Sequence, residues 1–121
     1  MRFTESHEWI QYSQANKTGI VGITNYAQKE LGEVVHIELP KVGQKVVQGK
    51  EVCVLESTKA ASDIYAPVSG AITEVNLSLK AQPQLINQDP ESEGWLFKIE
   101  LSNPGELESL LTLDQYLALI E

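Results

Sequence analysis

Val52-Cys53-Val54-Leu55-Glu56-Ser57-Thr58-Lys59-Ala60-Ala61-Ser62-Asp63-Ile64-Tyr65-Ala66-Pro67-Val68-Ser69-Gly70 holds two apolar, β-branched runs that meet at a few small polar residues. Such a pattern, closed by a Pro/Gly turn, reads as a β-hairpin. Lys59 falls at or beside its tip. Ala60, Ala61 and Ser62 leave its ammonium sterically free, with Glu56 and Asp63 flanking. By residue type alone Lys59 is a solvated loop charge. The surrounding chain has to decide whether it is more.

Outward from the hairpin, period-two alternation dominates. Ser6 to Tyr12 and Lys17 to Ile23 read as strands joined through Gln14-Ala15-Asn16, and Gly19 and Gly22 suggest close backbone approach. Asn25 is the expected cap of a short helix, with Gln28 as capping-box partner and Gly32 as its stop. Glu33 to Leu39 alternates strictly, which places Val35, Ile37 and Leu39 on one face. Beyond the hairpin, Ala71 to Leu77 and Trp95 to Leu101 alternate again. Val46-Val47 and Leu85-Ile86 read as short strands on either side, a faint sign of similar halves. After Leu101 the period changes. Asn103-Pro104 opens one helix, and Thr112 caps another with Leu113, Tyr116, Leu117 and Ile120 on one face. About seven short strands with about three short helices indicate a mainly β sandwich or barrel. No linker divides the chain, so one domain, 1–121, is expected.

Composition excludes several functions. A net charge of −8 disfavours nucleic-acid binding, which needs clustered Lys and Arg, and suits partners with basic docking surfaces. No stretch approaches the roughly 20 apolar residues of a membrane span. Met1 to Glu5 carries no signal or transit pattern, so a cytoplasmic, bacterial-like protein is expected. Cys53 is the only cysteine and lies in an apolar run, which makes it a buried, inert thiol. No zinc constellation, phosphate loop or nucleophile elbow is present.

Ser6-His7-Glu8-Trp9, Val21-Gly22-Ile23-Thr24, Ala27-Gln28, Leu31-Gly32-Glu33 and Glu38-Leu39-Pro40 precede the octapeptide Glu56 to Asp63. Ala66-Pro67-Val68-Ser69-Gly70, Val75-Asn76, Asn87, Pro90, Gly94-Trp95 and Glu106 to Leu111 follow it. In this order and spacing, across nearly the whole chain, they resemble the H protein of the glycine cleavage system. The resemblance implies a lipoyl/biotinyl-carrier β-sandwich (a barrel-sandwich hybrid) with one short helix in the N-terminal half and short C-terminal helices. It implies a non-enzymatic carrier with lipoic acid, as (R)-lipoate, in amide linkage to Lys59.

The implied arm takes the aminomethyl group of glycine from a pyridoxal-phosphate decarboxylase to a tetrahydrofolate-dependent aminomethyltransferase, and a dihydrolipoamide dehydrogenase reoxidises it. A lipoate ligase or lipoyl/octanoyl transferase would attach it, and the chain would act as a monomer. The family also seats the loaded arm in a surface cleft, for which Ser6, Glu8 and Asp63 are the matching positions. Thr58 stands where the family usually has valine, Gln88 replaces a usual serine and Glu91 a usual tyrosine. Leu79 to Gln82 is also atypical. All except Thr58 are expected in surface loops. The competing function is an H-like lipoyl donor or relay for other enzymes. A biotin carrier is disfavoured because Thr58 and Ala60 replace the methionines that flank a biotinyl lysine. An exposed tip is likewise a poor setting for a Schiff-base lysine, which needs desolvation.

Overall fold

The computed structural model describes residues 1–121. Alternating segments become nine strands: β1 (Arg2–Phe3), β2 (Glu8–Ser13), β3 (Thr18–Ile23), β4 (Val34–Glu38), β5 (Lys45–Val46), β6 (Glu51–Ser57), β7 (Ala61–Tyr65), β8 (Gly70–Val75) and β9 (Phe97–Leu101). The helices are α1 (Asn25–Leu31), α2 (Ser78–Ala81), α3 (Leu85–Gln88) and α4 (Leu113–Ile120), with a 3-10 turn at Pro104–Ser109. One sheet runs β1-β2-β3-β9-β8-β5 and the other β4-β6-β7. All pairings are antiparallel.

The inward residues of both sheets build one apolar cluster. Ile10, Val21, Ile72, Phe97 and Ile99 from the larger sheet meet Val34, Ile37, Leu55 and Ile64 from the smaller. This is the expected sandwich, with more strands than the periodicity resolves. The opposite face of β1 and β2 carries Phe3 and Trp9, covered by Tyr116 of α4. Parity explains the split, because Trp9 and Ile10 are neighbours on a strand and must point to opposite faces. The β3 glycines make room for these side chains. A Cβ at Gly19 would lie 2.6 Å from Ile10 Cδ1, and one at Gly22 would lie 2.7 Å from the Trp9 ring.

Several local expectations shift. The cap of α1 is Thr24, not Asn25: Thr24 Oγ1 accepts from the Ala27 amide at 3.2 Å. Gln28 instead donates to Asn25 Oδ1. Gly32 does stop the helix. The strict alternation expected over β4 fails at a register shift between Val34 and His36. An extra residue there lets Val34 and Ile37 both enter the core while Val35 stays 49% exposed. Leu85-Ile86 is helical in α3, so the suggested similarity of halves disappears. Leu79, expected in a surface loop, is fully buried on α2, and Gln88 closes α3. Glu91 is exposed as expected and accepts from the Asn25 amide.

At the C-terminus, Thr112 and Gln115 form a reciprocal capping box that opens α4. Tyr116 is buried, whereas Leu113 and Leu117 are 52% and 46% exposed, so the predicted apolar stripe is only partly covered. No helix is long and apolar enough to cross a membrane.

Cys53 is buried in the sandwich. Burial pushes its thiol up to about 12, and the charges of Glu8 and Glu38 add to the shift. An unfolded cysteine ionises near 8.5. From about pH 9 towards 12 the unfolded chain therefore releases a proton that the folded chain retains, so stability falls as pH rises. Thermal melts across this range should show a shallower alkaline decline for Cys53→Ala than for the parent. Equal slopes would assign the decline to other groups.

Candidate functional site

The β6–β7 hairpin pairs Glu56 with Ala61, Leu55 with Ser62 and Val54 with Asp63. That register fixes the Ser57–Ala60 turn. Ser57 N–H donates to Ala60 O at 2.9 Å, and Ser57 Oγ accepts from the Lys59 and Ala60 amides, each at 3.1 Å. A serine at this position replaces part of the backbone ladder by local side-chain bonding. From outside the hairpin, Thr58 N–H donates to Glu33 O at 2.9 Å. The backbone of Lys59 is thus held while its side chain stays exposed.

The segment under this side chain is equally determined. Gly32 ends α1 at φ +85° and ψ −165°, a region open essentially to glycine alone. The Lys59 stem passes close above it: a Cβ on Gly32 would lie 3.2 Å from Lys59 Cε and 3.4 Å from Cδ. Asn87 of α3 fastens the segment from below. Its Oδ1 accepts from the Val34 amide at 2.8 Å, and its Nδ2 donates to Gly32 O at 2.8 Å and Gln28 Oε1 at 3.1 Å. Gly32→Ala should cost about 1–3 kcal/mol for the backbone conformation alone. It should also slow enzymatic modification of Lys59 by displacing the stem. Melting temperature and modification rate, measured together, check both; a variant matching the parent in each would remove this platform role.

Beside Lys59 lies a cavity of about 330 Å³. Ser6 and His7 form one side, Ala27, Glu30 and Leu31 of α1 another, and the hairpin from Lys59 to Ser62 the third. The Ala and Leu side chains suit a methylene chain, while Ser6, His7 and Glu30 supply polar ends. A larger cavity, about 560 Å³, lies beyond Ser6 towards Tyr65 and Leu110, but Lys59 takes no part in it. Of the two, only the smaller is lined by a lysine, the side chain whose amine can form an amide.

The Ser6 wall is backed by a buried carboxylate. Glu8 is 1% exposed. Its Oε1 accepts from the hydroxyls of Thr4 and Ser6, the latter at 2.6 Å, and its Oε2 accepts from the Tyr65 amide at 3.2 Å. His7 has φ +74°, and its ring packs 4.7 Å from that of Tyr26. Its Nδ1 lies 2.8 Å from the Tyr116 hydroxyl, which is 2.6 Å from Thr24 Oγ1. Burial pushes the Tyr116 hydroxyl up, against a smaller opposing effect of Thr24, so it remains a proton carrier at neutral pH. Thr24, Tyr116 and His7 are thereby joined in one hydrogen-bonded chain. Helix α4 therefore steadies the cavity wall through His7.

Comparison with known proteins gives these features a context. The family profile for the glycine cleavage H-protein matches residues 1–121. The glycine cleavage system H protein of Thermotoga maritima is 54% identical over 115 residues, covering 95% of this chain and 91% of that protein. The one from Alcanivorax borkumensis is 51% identical over 121 residues, covering 100% and 93%. A crystal structure of a glycine cleavage system H protein from Mycobacterium marinum superposes with a TM-score of 0.87 at 37% identity, covering 96% and 92%.

The chain belongs to the glycine cleavage H-protein family.

In this H-protein family member, the residues singled out from sequence do not all converge. Ser6 and Lys59 line the same cavity. Glu8 reaches it only through the Ser6 hydroxyl and is itself buried at the start of β2. Asp63 is exposed on β7 and does not line the cavity. His36 lies exposed on β4 opposite Glu56, away from the cavity. Sequence reasoning missed Glu30 and the fastening role of Asn87. The stop signal at Gly32 was readable, but not the lysine lying over it.

Proposed function

We propose that this chain is the lipoylated carrier of a glycine cleavage system, with lipoate in amide linkage to Lys59 Nζ. The observation that most supports this reading is the placement of Lys59. An exposed amine on an immobilised turn, with its stem across Gly32 and a small-residue cavity alongside, suits a swinging arm that several enzymes must reach. A lipoyl group there would supply a strained disulfide whose opening takes up the glycine-derived group.

The chain's own residues bind and orient. Ser57 and Glu33 hold the turn, Gly32 leaves room for the stem, and Ala27, Leu31, Ala60 and Ala61 offer apolar contact to a methylene chain. Ser6, fixed by Glu8, presents a hydroxyl oxygen with lone pairs free to accept. The reactions themselves belong to the partners: the pyridoxal-phosphate decarboxylase, the folate-dependent aminomethyltransferase and the flavin dehydrogenase. An exposed tip also suits the ligase or transferase that installs the arm.

Reconstitution tests the client. The lipoylated protein, mixed with the decarboxylase, should support exchange of labelled bicarbonate into glycine. Modified protein that leaves exchange at background would overturn the glycine-cleavage role and favour a lipoyl relay.

A further inference from the structure

We propose that the cavity of about 560 Å³ beyond Ser6 is a docking socket for an arginine side chain, presented by an enzyme that takes the arm on Lys59. The proposal rests on the carrier reading above and adds to it an anchor point for the partner.

The socket suits an apolar stem with a cationic head. Phe3 and Leu110 are buried in its floor, which Leu111 and the half-buried Tyr65 continue. One charged group lines it, the carboxylate of Glu5. Glu5 is exposed and its side chain forms no hydrogen bond or ion pair, the protein's only ion pair joining Lys98 to Glu74. Nothing in the fold accounts for its charge at this place.

The other polar side chains of the socket have already spent their protons. Thr4 and Ser6 donate their hydroxyls to Glu8 Oε1, and Ser109 donates its own to Glu106 O at 2.6 Å. The Gln48 NH2 group donates to Pro67 O at 3.0 Å and to Ser109 Oγ at 3.1 Å. What remains is acceptor capacity: Gln48 Oε1, the Ser6 oxygen and both oxygens of Glu5. Among these side chains only the Tyr65 hydroxyl keeps a proton to donate. An occupant must therefore bring the donors. A guanidinium brings five in a planar fork, and its methylene stem can lie along an apolar floor. It also stacks on an aromatic face, which Tyr65 offers. An anion would meet the Glu5 carboxylate, and a neutral group would gain nothing from it.

Position favours a protein over a free arginine-like molecule. Ser6 lines this cavity and the Lys59 cavity alike, so an enzyme that reaches the arm also stands over the socket. The net charge of −8 draws a basic surface towards the chain. No cation lines the cavity to hold the carboxylate that a free amino acid would carry. Arginine is also among the side chains that most often anchor protein interfaces.

The test uses lipoylated protein, checked by intact mass, as the varied substrate of the decarboxylase, the aminomethyltransferase and the dehydrogenase in turn. Glu5→Lys should raise KM for the carrier about five- to tenfold with at least one of them while kcat stays within about twofold. Glu5→Gln should fall between parent and Glu5→Lys, and added salt should narrow the differences. Glu93→Lys makes the same change of net charge on an exposed loop outside both cavities, and should alter KM less. Parental KM values in Glu5→Lys with all three enzymes, or an equal rise in Glu93→Lys, overturn the socket. Amide spectra of isotope-labelled protein locate the contact. N-acetyl-arginine amide should shift Glu5, Ser6, Gln48 and Tyr65, and N-acetyl-lysine amide should shift them less; shifts elsewhere, or none, overturn the location. Tight binding of the arginine compound together with parental KM values in Glu5→Lys would make the cavity a small-molecule site and overturn docking. A lipoylated parent inactive with every enzyme overturns the carrier reading and this proposal together, whereas an active parent matched by Glu5→Lys overturns this proposal alone.

Discussion

Lys59→Arg is expected to abolish the lipoyl mass increment in protein expressed with lipoate, and with it all support of glycine–bicarbonate exchange. Arginine retains the positive charge and nearly the same reach, but its guanidinium stays protonated and offers no nucleophilic amine for acylation. Lys59 is exposed and its side chain forms no hydrogen bond or ion pair, so the fold should tolerate the change. An unchanged melting temperature would establish that the loss is chemical. Intact mass of the parent and the variant is the decisive comparison: an increment that survives in Lys59→Arg would move the attachment elsewhere.

Glu8→Ala should have the largest effect on stability. The carboxylate is enclosed between β2, the turn before it and the end of β7, and it accepts from two hydroxyls and the Tyr65 amide. Hydroxyls can rotate towards other acceptors, but the Tyr65 N–H cannot. Leaving it unpaired, together with the space vacated, should cost about 2–3 kcal/mol. For a chain of this size that corresponds to a fall in melting temperature of about 6–12 °C. Glu8→Gln should recover part of the loss, since its carbonyl oxygen can still accept while its NH2 cannot. Thermal denaturation of the three proteins distinguishes these cases; parental stability in Glu8→Ala would mean that the buried carboxylate is dispensable. Below its melting transition the variant should still be lipoylated, because the Ser57–Ala60 turn does not depend on Glu8.

The two substitutions show how unevenly the site was legible. Lys59 could be placed from the chain alone, because a hairpin is written locally: β-branched runs, small polar residues at the tip and a Pro-Gly turn afterwards. Thr112 and Asn103 were legible for the same reason, since a cap and its partner lie within one helical turn. Thr24 was overlooked in favour of Asn25 because both residues are good caps and only backbone geometry chooses between them.

Glu8 was harder. Its decisive donor, the Tyr65 amide, is 57 residues away, and no pattern around Ser6-His7-Glu8 announces it. Leu85-Ile86 failed similarly. Two branched or bulky apolar residues favour a strand by type, yet α3 is anchored through Asn87 to Gly32 and Val34, more than fifty positions earlier. The register shift in β4 turned Val35 outwards, which a strict period of two cannot represent.

The sequence by itself determined the mainly β architecture, the hairpin that presents Lys59 and, through its resemblance, the carrier family. These depend on alternation, turn chemistry and capping, which act over a few residues. Tertiary structure alone decided that Ser6, Glu30 and Lys59 share a cavity, that Glu8 lies behind its wall and that Asp63 stays outside. Those relations arise where α1, the β1–β2 turn and the β6–β7 hairpin pack together, and packing brings together charges whose separation along the chain carries no signal of their meeting.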